Sequence, residues 1–166
     1  MKRLAFSVLF LVLLLPSTSS AQHWTADEQE VLTYIKKSWE SWEKAVRAKD
    51  HNIWLDFVQP TEDFTGWWTS DGSLWTLEAE KRTFDEWVKG VKNFYWENVQ
   101  PLSIKVYGDV ALAHFYSTYN IEDKTGKTTR MEDKRFEVYR KVDGRWRWNG
   151  AMVSAKEVGA FVEVEE

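Results

Sequence analysis

Residues 102–154 read LSIKVYGDVALAHFYSTYNIEDKTGKTTRMEDKRFEVYRKVDGRWRWNGAMVS, and this stretch decides the fold. Apolar and polar residues alternate along it with the period of two that strands require. Gly108-Asp109, Lys124-Thr125-Gly126-Lys127 and Asp143-Gly144 interrupt the alternation with turn chemistry. The expected elements are strands over 102–107, 110–121, 128–141 and 146–154, joined as an antiparallel meander. Treating Thr125-Gly126 and Asp143-Gly144 as two-residue hairpin turns predicts the register. It pairs His114 with Glu137, Tyr116 with Arg135, and Leu112 with Tyr139; further on, Tyr139 meets Trp148, Glu137 meets Gly150, and Arg135 meets Met152.

Upstream of the meander the period changes. Thr25-Ala26-Asp27-Glu28 is a capping box, and Val31, Ile35, Trp39, Trp42 and Val46 then recur at three- and four-residue steps. This predicts an amphipathic helix over 26–49. Asp50 ends it and caps a short helix over 51–58, stopped before Pro60. Phe64 to Thr69 and Leu74 to Leu77 flank the cluster Ser70-Asp71-Gly72-Ser73 and predict a small hairpin. A second capping box at 83–86 predicts a helix reaching Tyr95, with Phe84, Trp87, Val88, Val91 and Phe94 on one face. Helices followed by a run of antiparallel strands make an α+β protein, a curved antiparallel sheet wrapped as a cone around N-terminal helices.

At the start of the chain, Lys2 and Arg3 precede the apolar run Leu4 to Leu15 and the small-residue exit Pro16 to Ala21. This is a cleavable secretory signal peptide over 1–21, with Ser19 and Ala21 at the −3 and −1 positions. The apolar run is shorter than the ~20 residues a membrane-spanning helix needs. Export to the periplasm, or secretion, is expected, with an α+β domain over 22–154 and an acidic tail over 155–166. The sequence contains no Cys, so stability rests on packing and not on disulfides. Losing Lys2 and Arg3 with the leader takes the formal charge from −4 to −6, which disfavours a phosphate-backbone partner. After cleavage no membrane contact is expected. The chain has 11 Trp, all beyond the predicted cleavage point, more than any one ligand could touch, so most must fill a core.

Asp50 after the long first helix, Gly108-Asp109-Val110-Ala111 before a strand, and Lys141-Val142-Asp143-Gly144-Arg145-Trp146-Arg147 leading to Ser154 resemble the SnoaL-like members of the nuclear transport factor 2-like superfamily. The resemblance covers residues 28–154. It implies a cone-shaped α+β barrel with a cavity between helices and sheet, often in a homodimer, in a superfamily divided between small-molecule enzymes and non-catalytic binders. Members often carry His near the position of Met152; its absence removes a usual polar group from the cavity, and no catalytic residue is carried over.

No nucleophile elbow, phosphate loop, dinucleotide fingerprint or metal-ligand spacing is present, and His23, His51 and His114 are scattered, so neither cofactor nor metal is expected. The predicted register gathers His114, Tyr116, Arg135, Glu137, Tyr139, Trp148 and Met152 on one sheet face. With that face turned inward, Glu137 would orient His114, Arg135 would hold a ligand anion, and Trp39 and Trp42 would roof the cavity. The expected function is small-molecule binding in an aromatic-lined pocket without demonstrable catalysis. The alternatives are an isomerase or dehydratase using the His114–Glu137 pair, and an interaction or structural domain. Trp67 and Trp68 are neighbours in a strand and point to opposite faces, so one of them is exposed or at a rim.

Overall fold

The computed structural model describes residues 23–69 and 72–158. The expected leader over 1–21, and the expected tail over 155–166 from residue 159 onward, lie outside the described residues. Helix α1 spans Ala26–Ala48. Its capping box is complete: Thr25 Oγ1 accepts from the Glu28 N–H at 3.2 Å, and Glu28 Oε2 accepts from the Thr25 N–H at 2.9 Å. Val31, Leu32, Ile35, Trp39, Ala45 and Val46 form its buried face. Helix α2, Asn52–Val58, follows a turn in which Asp50 Oδ1 accepts from the Asn52 N–H. Strands β1, Thr65–Trp68, and β2, Leu74–Thr76, form the expected small hairpin.

Helix α3 spans Leu77–Trp87. It starts earlier than the capping box at 83–86 predicts, because Thr76 Oγ1 already caps it through the Ala79 N–H. It also stops earlier. Val91 and Phe94, three residues apart, mimic a helical face, but they belong to β3, Val91–Tyr107. A bulge between Val91 and Asn93 inserts one residue, so both side chains point inward from a strand. Two further bulges, between Trp96 and Asn98 and between Pro101 and Ser103, do the same for Val99 and Ile104. Each bulge adds bend and twist, which curves the sheet around α1.

Strands β4, Val110–Asp123, β5, Thr128–Val142, and β6, Arg145–Glu157, complete the meander. The order is β2-β1-β6-β5-β4-β3. The sheet is mixed and unclosed, not purely antiparallel, because β1 pairs with β6 in parallel. That junction is tight: a Cβ on Gly66 would lie 2.5 Å from the Ala151 carbonyl oxygen, and one on Gly150 would lie 2.9 Å from that of Thr65.

The predicted register is corrected at both hairpins. In the first, β4 and β5 are joined by a type I turn over Asp123–Gly126, closed by the Gly126 N–H to the Asp123 carbonyl at 3.1 Å, with Gly126 at φ +89°. Asp123 Oδ1 accepts from the N–H groups of Thr125 and Lys127 and from the Thr125 hydroxyl. This bulged loop is one residue out of step with a two-residue turn. His114 therefore faces Phe136, Glu137 faces Ala113, and Arg135 faces Phe115. The second hairpin keeps Tyr139 opposite Trp148, but a bulge after Val138 moves Glu137 to Ala151 and Arg135 to Val153.

Candidate functional site

Odd-numbered residues of β5 point into the cone, where alternation stacks Asp133, Arg135, Glu137 and Tyr139 in one inward row. Arg135 bridges the row: its Nε lies 3.2 Å from Asp133 Oδ2 and its Nη1 2.7 Å from Glu137 Oε1. The Tyr139 hydroxyl donates to Glu137 Oε2, and the Tyr119 hydroxyl of β4 donates to Asp133 Oδ1 at 2.8 Å. The Arg135 guanidinium also lies over the Trp39 indole, 4.9 Å from its centroid.

Burial sets the electrostatics of this row. It drives the Glu137 carboxyl above its ordinary value of 4.5, and the charge of Arg135 and the Tyr139 hydrogen bond only partly offset it. Burial disfavours the charged form of Arg135 as well, but Glu137 and Asp133 outweigh that effect and hold its pKa above the ordinary value. The phenols of Tyr139 and Tyr119 are raised by burial first and by the neighbouring carboxylates second. Both therefore stay protonated donors.

Above the row lies a cavity of about 260 Å³. Helix α1 contributes Tyr34, Trp39 and Trp42 to its lining, and α2 contributes Trp54. The hairpin adds Trp68 and Trp75, α3 adds Glu80, Phe84 and Trp87, and β6 adds Trp148. The rings interlock: Trp42 meets Trp54 edge-on at 5.0 Å and stacks on Trp87 at 6.1 Å, while Trp148 packs on Phe64 at 4.0 Å and on Trp75 at 5.0 Å. Polar handles are few. Trp54 Nε1 donates to Ser38 Oγ, Trp75 Nε1 to Glu80 Oε2 at 2.6 Å, and the Tyr34 hydroxyl to the Val58 carbonyl. His51 is sandwiched between Phe84 and Trp54, with Nε2 at 3.4 Å from Glu80 Oε1.

Of the residues singled out from sequence, Arg135, Glu137, Tyr139, Trp148, Trp39 and Trp42 meet at this cavity. His114 and Tyr116 do not. One step of register places them on the outer face, where His114 packs on Phe136 at 4.6 Å and Tyr116 lies under the Lys134 ammonium at 5.7 Å. Met152 is on the outer side too, 47% exposed. Consequently His114 and Glu137 are on opposite faces of the sheet and form no acid–base pair. Trp67 is exposed and Trp68 turns toward the cavity, as adjacent strand residues must.

Sequence reasoning missed Asp133, Tyr119, Glu80 and the ring set of Trp54, Trp75 and Trp87. Asp133 was findable, since it stands two residues from Arg135 in the same alternation; nothing local marks Glu80. Among the described residues there is no group of three potential metal ligands.

No protein-family model and no curated protein sequence matches the chain. Solved structures do. A conserved protein from Planctomyces limnophilus superposes with a TM-score of 0.66 at 14% identity, covering 80% of this chain and 98% of that one. The crystal structure of LinA gives a TM-score of 0.61 at 12% identity, covering 84% and 95%. A nuclear transport factor 2-like superfamily protein from Salmonella enterica gives 0.58 at 17% identity, covering 83% and 96%. The chain superposes on those structures over most of its length, and it has the nuclear transport factor 2-like α+β cone fold.

Proposed function

We propose that this chain is an exported protein that binds a small, partly apolar molecule in its cone. The observation that carries this reading is the cavity itself: a space of about 260 Å³ walled largely by indole rings, with a few buried polar groups in its lining. Sites for small molecules combine an apolar lining with a few fixed polar groups in this way. Export rests on the leader-like segment over 1–21, and N-terminal sequencing of the exported product should begin at Gln22. A product that begins at Met1 and stays with the membrane would refute export.

Binding is tested with N-phenyl-1-naphthylamine, a neutral aromatic probe that accepts energy from tryptophan. One equivalent should bind with quenching of protein fluorescence, and Ile121→Trp, which adds an indole to the lining, should weaken it. No saturable quenching, or equal affinity in the two proteins, would remove the cavity as the site.

The outer face supports a homodimer. Leu74, Trp67 and Met152 are paired neighbours across β2, β1 and β6, and all three are exposed; Phe136 and His114 continue the row across β5 and β4. A monomer seldom leaves the apolar run Leu74, Trp67 and Met152 together in water. Trp67→Lys with Met152→Lys should shift sedimentation from dimer to monomer; a wild-type protein that sediments as a monomer refutes the dimer.

A further inference from the structure

The charge of the cavity runs against the role that a lone arginine on its floor suggests. Three carboxylates line it, Glu80, Asp133 and Glu137, and one guanidinium, Arg135. That guanidinium is already engaged three times: with Asp133 at 3.2 Å, Glu137 at 2.7 Å and the Trp39 ring at 4.9 Å. A ligand anion would have to displace carboxylates fixed on the same strand, and it would add to a negative excess. Glu80 is held by the Trp75 indole N–H at 2.6 Å, with His51 Nε2 at 3.4 Å. With the raised Glu137 counted as neutral, Glu80 and Asp133 still outnumber the single guanidinium.

The walls carry the same sign. Indole faces are the negative end of the ring quadrupole, and tryptophan is the strongest of the aromatic partners for a cation. An aromatic lining with more carboxylates than guanidinium groups therefore favours positive over negative charge. We propose that the occupant is an organic cation, an ammonium-bearing molecule with an apolar body, held against the indole faces and balanced by the surplus carboxylate. This rests on the binding reading above and names its ligand class.

Three probes of matched bulk test it by tryptophan fluorescence titration of the purified protein: benzyltrimethylammonium, its neutral carbon isostere neopentylbenzene, and phenylacetate. Hydrophobic transfer alone favours the neutral hydrocarbon, because water solvates the ammonium. The expected order is the reverse, with the cation ahead of its isostere by roughly tenfold or more and phenylacetate weakest. Glu80→Gln keeps an acceptor for Trp75 and removes one charge; it should narrow the gap between cation and isostere. If the isostere or the anion binds at least as tightly as the cation, or if Glu80→Gln leaves the gap unchanged, the cation assignment falls and the binding cavity stands. If none of the three binds while N-phenyl-1-naphthylamine does, the cation assignment falls and the binding cavity stands; if that probe fails as well, both readings fall.

Discussion

Arg135→Met removes the one cation from a buried row of acids while keeping most of the side-chain bulk. At an effective dielectric of about 20, each of its two carboxylate contacts, at 2.7 Å and 3.2 Å, is worth roughly 5–6 kcal/mol of gross attraction. Desolvation takes back several kcal/mol per ion, and breaking such a pair from one side costs about 3–5 kcal/mol. Against a total of about 5–15 kcal/mol for a domain, this is a large fraction. The loss should depend on pH. Glu137 is already raised above 4.5 by burial, and without Arg135 it rises further. A carboxyl whose folded value exceeds its unfolded one favours the folded state while protonated, and that contribution fades as pH rises from the unfolded value through the folded one. The deficit of Arg135→Met relative to wild type should therefore be greatest near about pH 7 and shrink toward about pH 5. Guanidinium chloride unfolding of both proteins at each pH measures it, with Arg140→Met, on an exposed pair with Asp63, expected within about 0.5 kcal/mol of wild type. An unchanged midpoint at neutral pH, or a deficit constant across the range, refutes the account of the row.

Trp148→Ala should lower stability by about 3–5 kcal/mol in the same assay, since the ring is 2% exposed and packs on Trp54, Phe64 and Trp75; an effect below about 1 kcal/mol would mean the ring is not part of the core. Thr25→Ala should cost about 1 kcal/mol through loss of the cap, read by thermal unfolding. Glu28, held below its ordinary 4.5 by the Thr25 backbone N–H and then by Lys105, stabilises the helix start above that value, and the contribution should disappear as pH falls through its depressed one. Gly66→Ala should cost roughly 1–3 kcal/mol, because the new methyl meets the Ala151 carbonyl oxygen, and hydrogen exchange of the amides in β1 should accelerate more than that in β3.

Much of the architecture was legible because meander, caps and helix period are local signals. α1 ends within a residue of its predicted bounds, since Thr25 and Glu28 announce its start, and Lys49, in a left-handed conformation, closes it. What failed was non-local or involved a single inserted residue. Val91 and Phe94 carry helical spacing, and only pairing with β4 reveals a bulge between them. The parallel contact of β1 with β6 joins segments some eighty residues apart, for which no adjacent residues give a cue. The inward row of β5 was visible as alternation, so Arg135, Glu137 and Tyr139 could be named together. Which residues of β4 joined them depended on the geometry of one loop, and there the assumption of a two-residue turn sent His114 and Tyr116 to the wrong side.

That same loop acts as a parity setting for the whole cone. Side chains of a strand alternate, so changing the count of residues between Glu122 and Thr128 by one would rotate β5 against β4 and exchange its two faces. Asp133, Arg135, Glu137 and Tyr139 would then look outward, and Phe136 and Val138 would enter the cavity. Asp123, with three hydrogen bonds into the loop, and Gly126, at φ +89°, hold the count at its odd value. Length change at this loop is therefore not the neutral event it is at most surface turns: two residues can be added at the cost of loop entropy, whereas one turns the interior chemistry of the protein inside out.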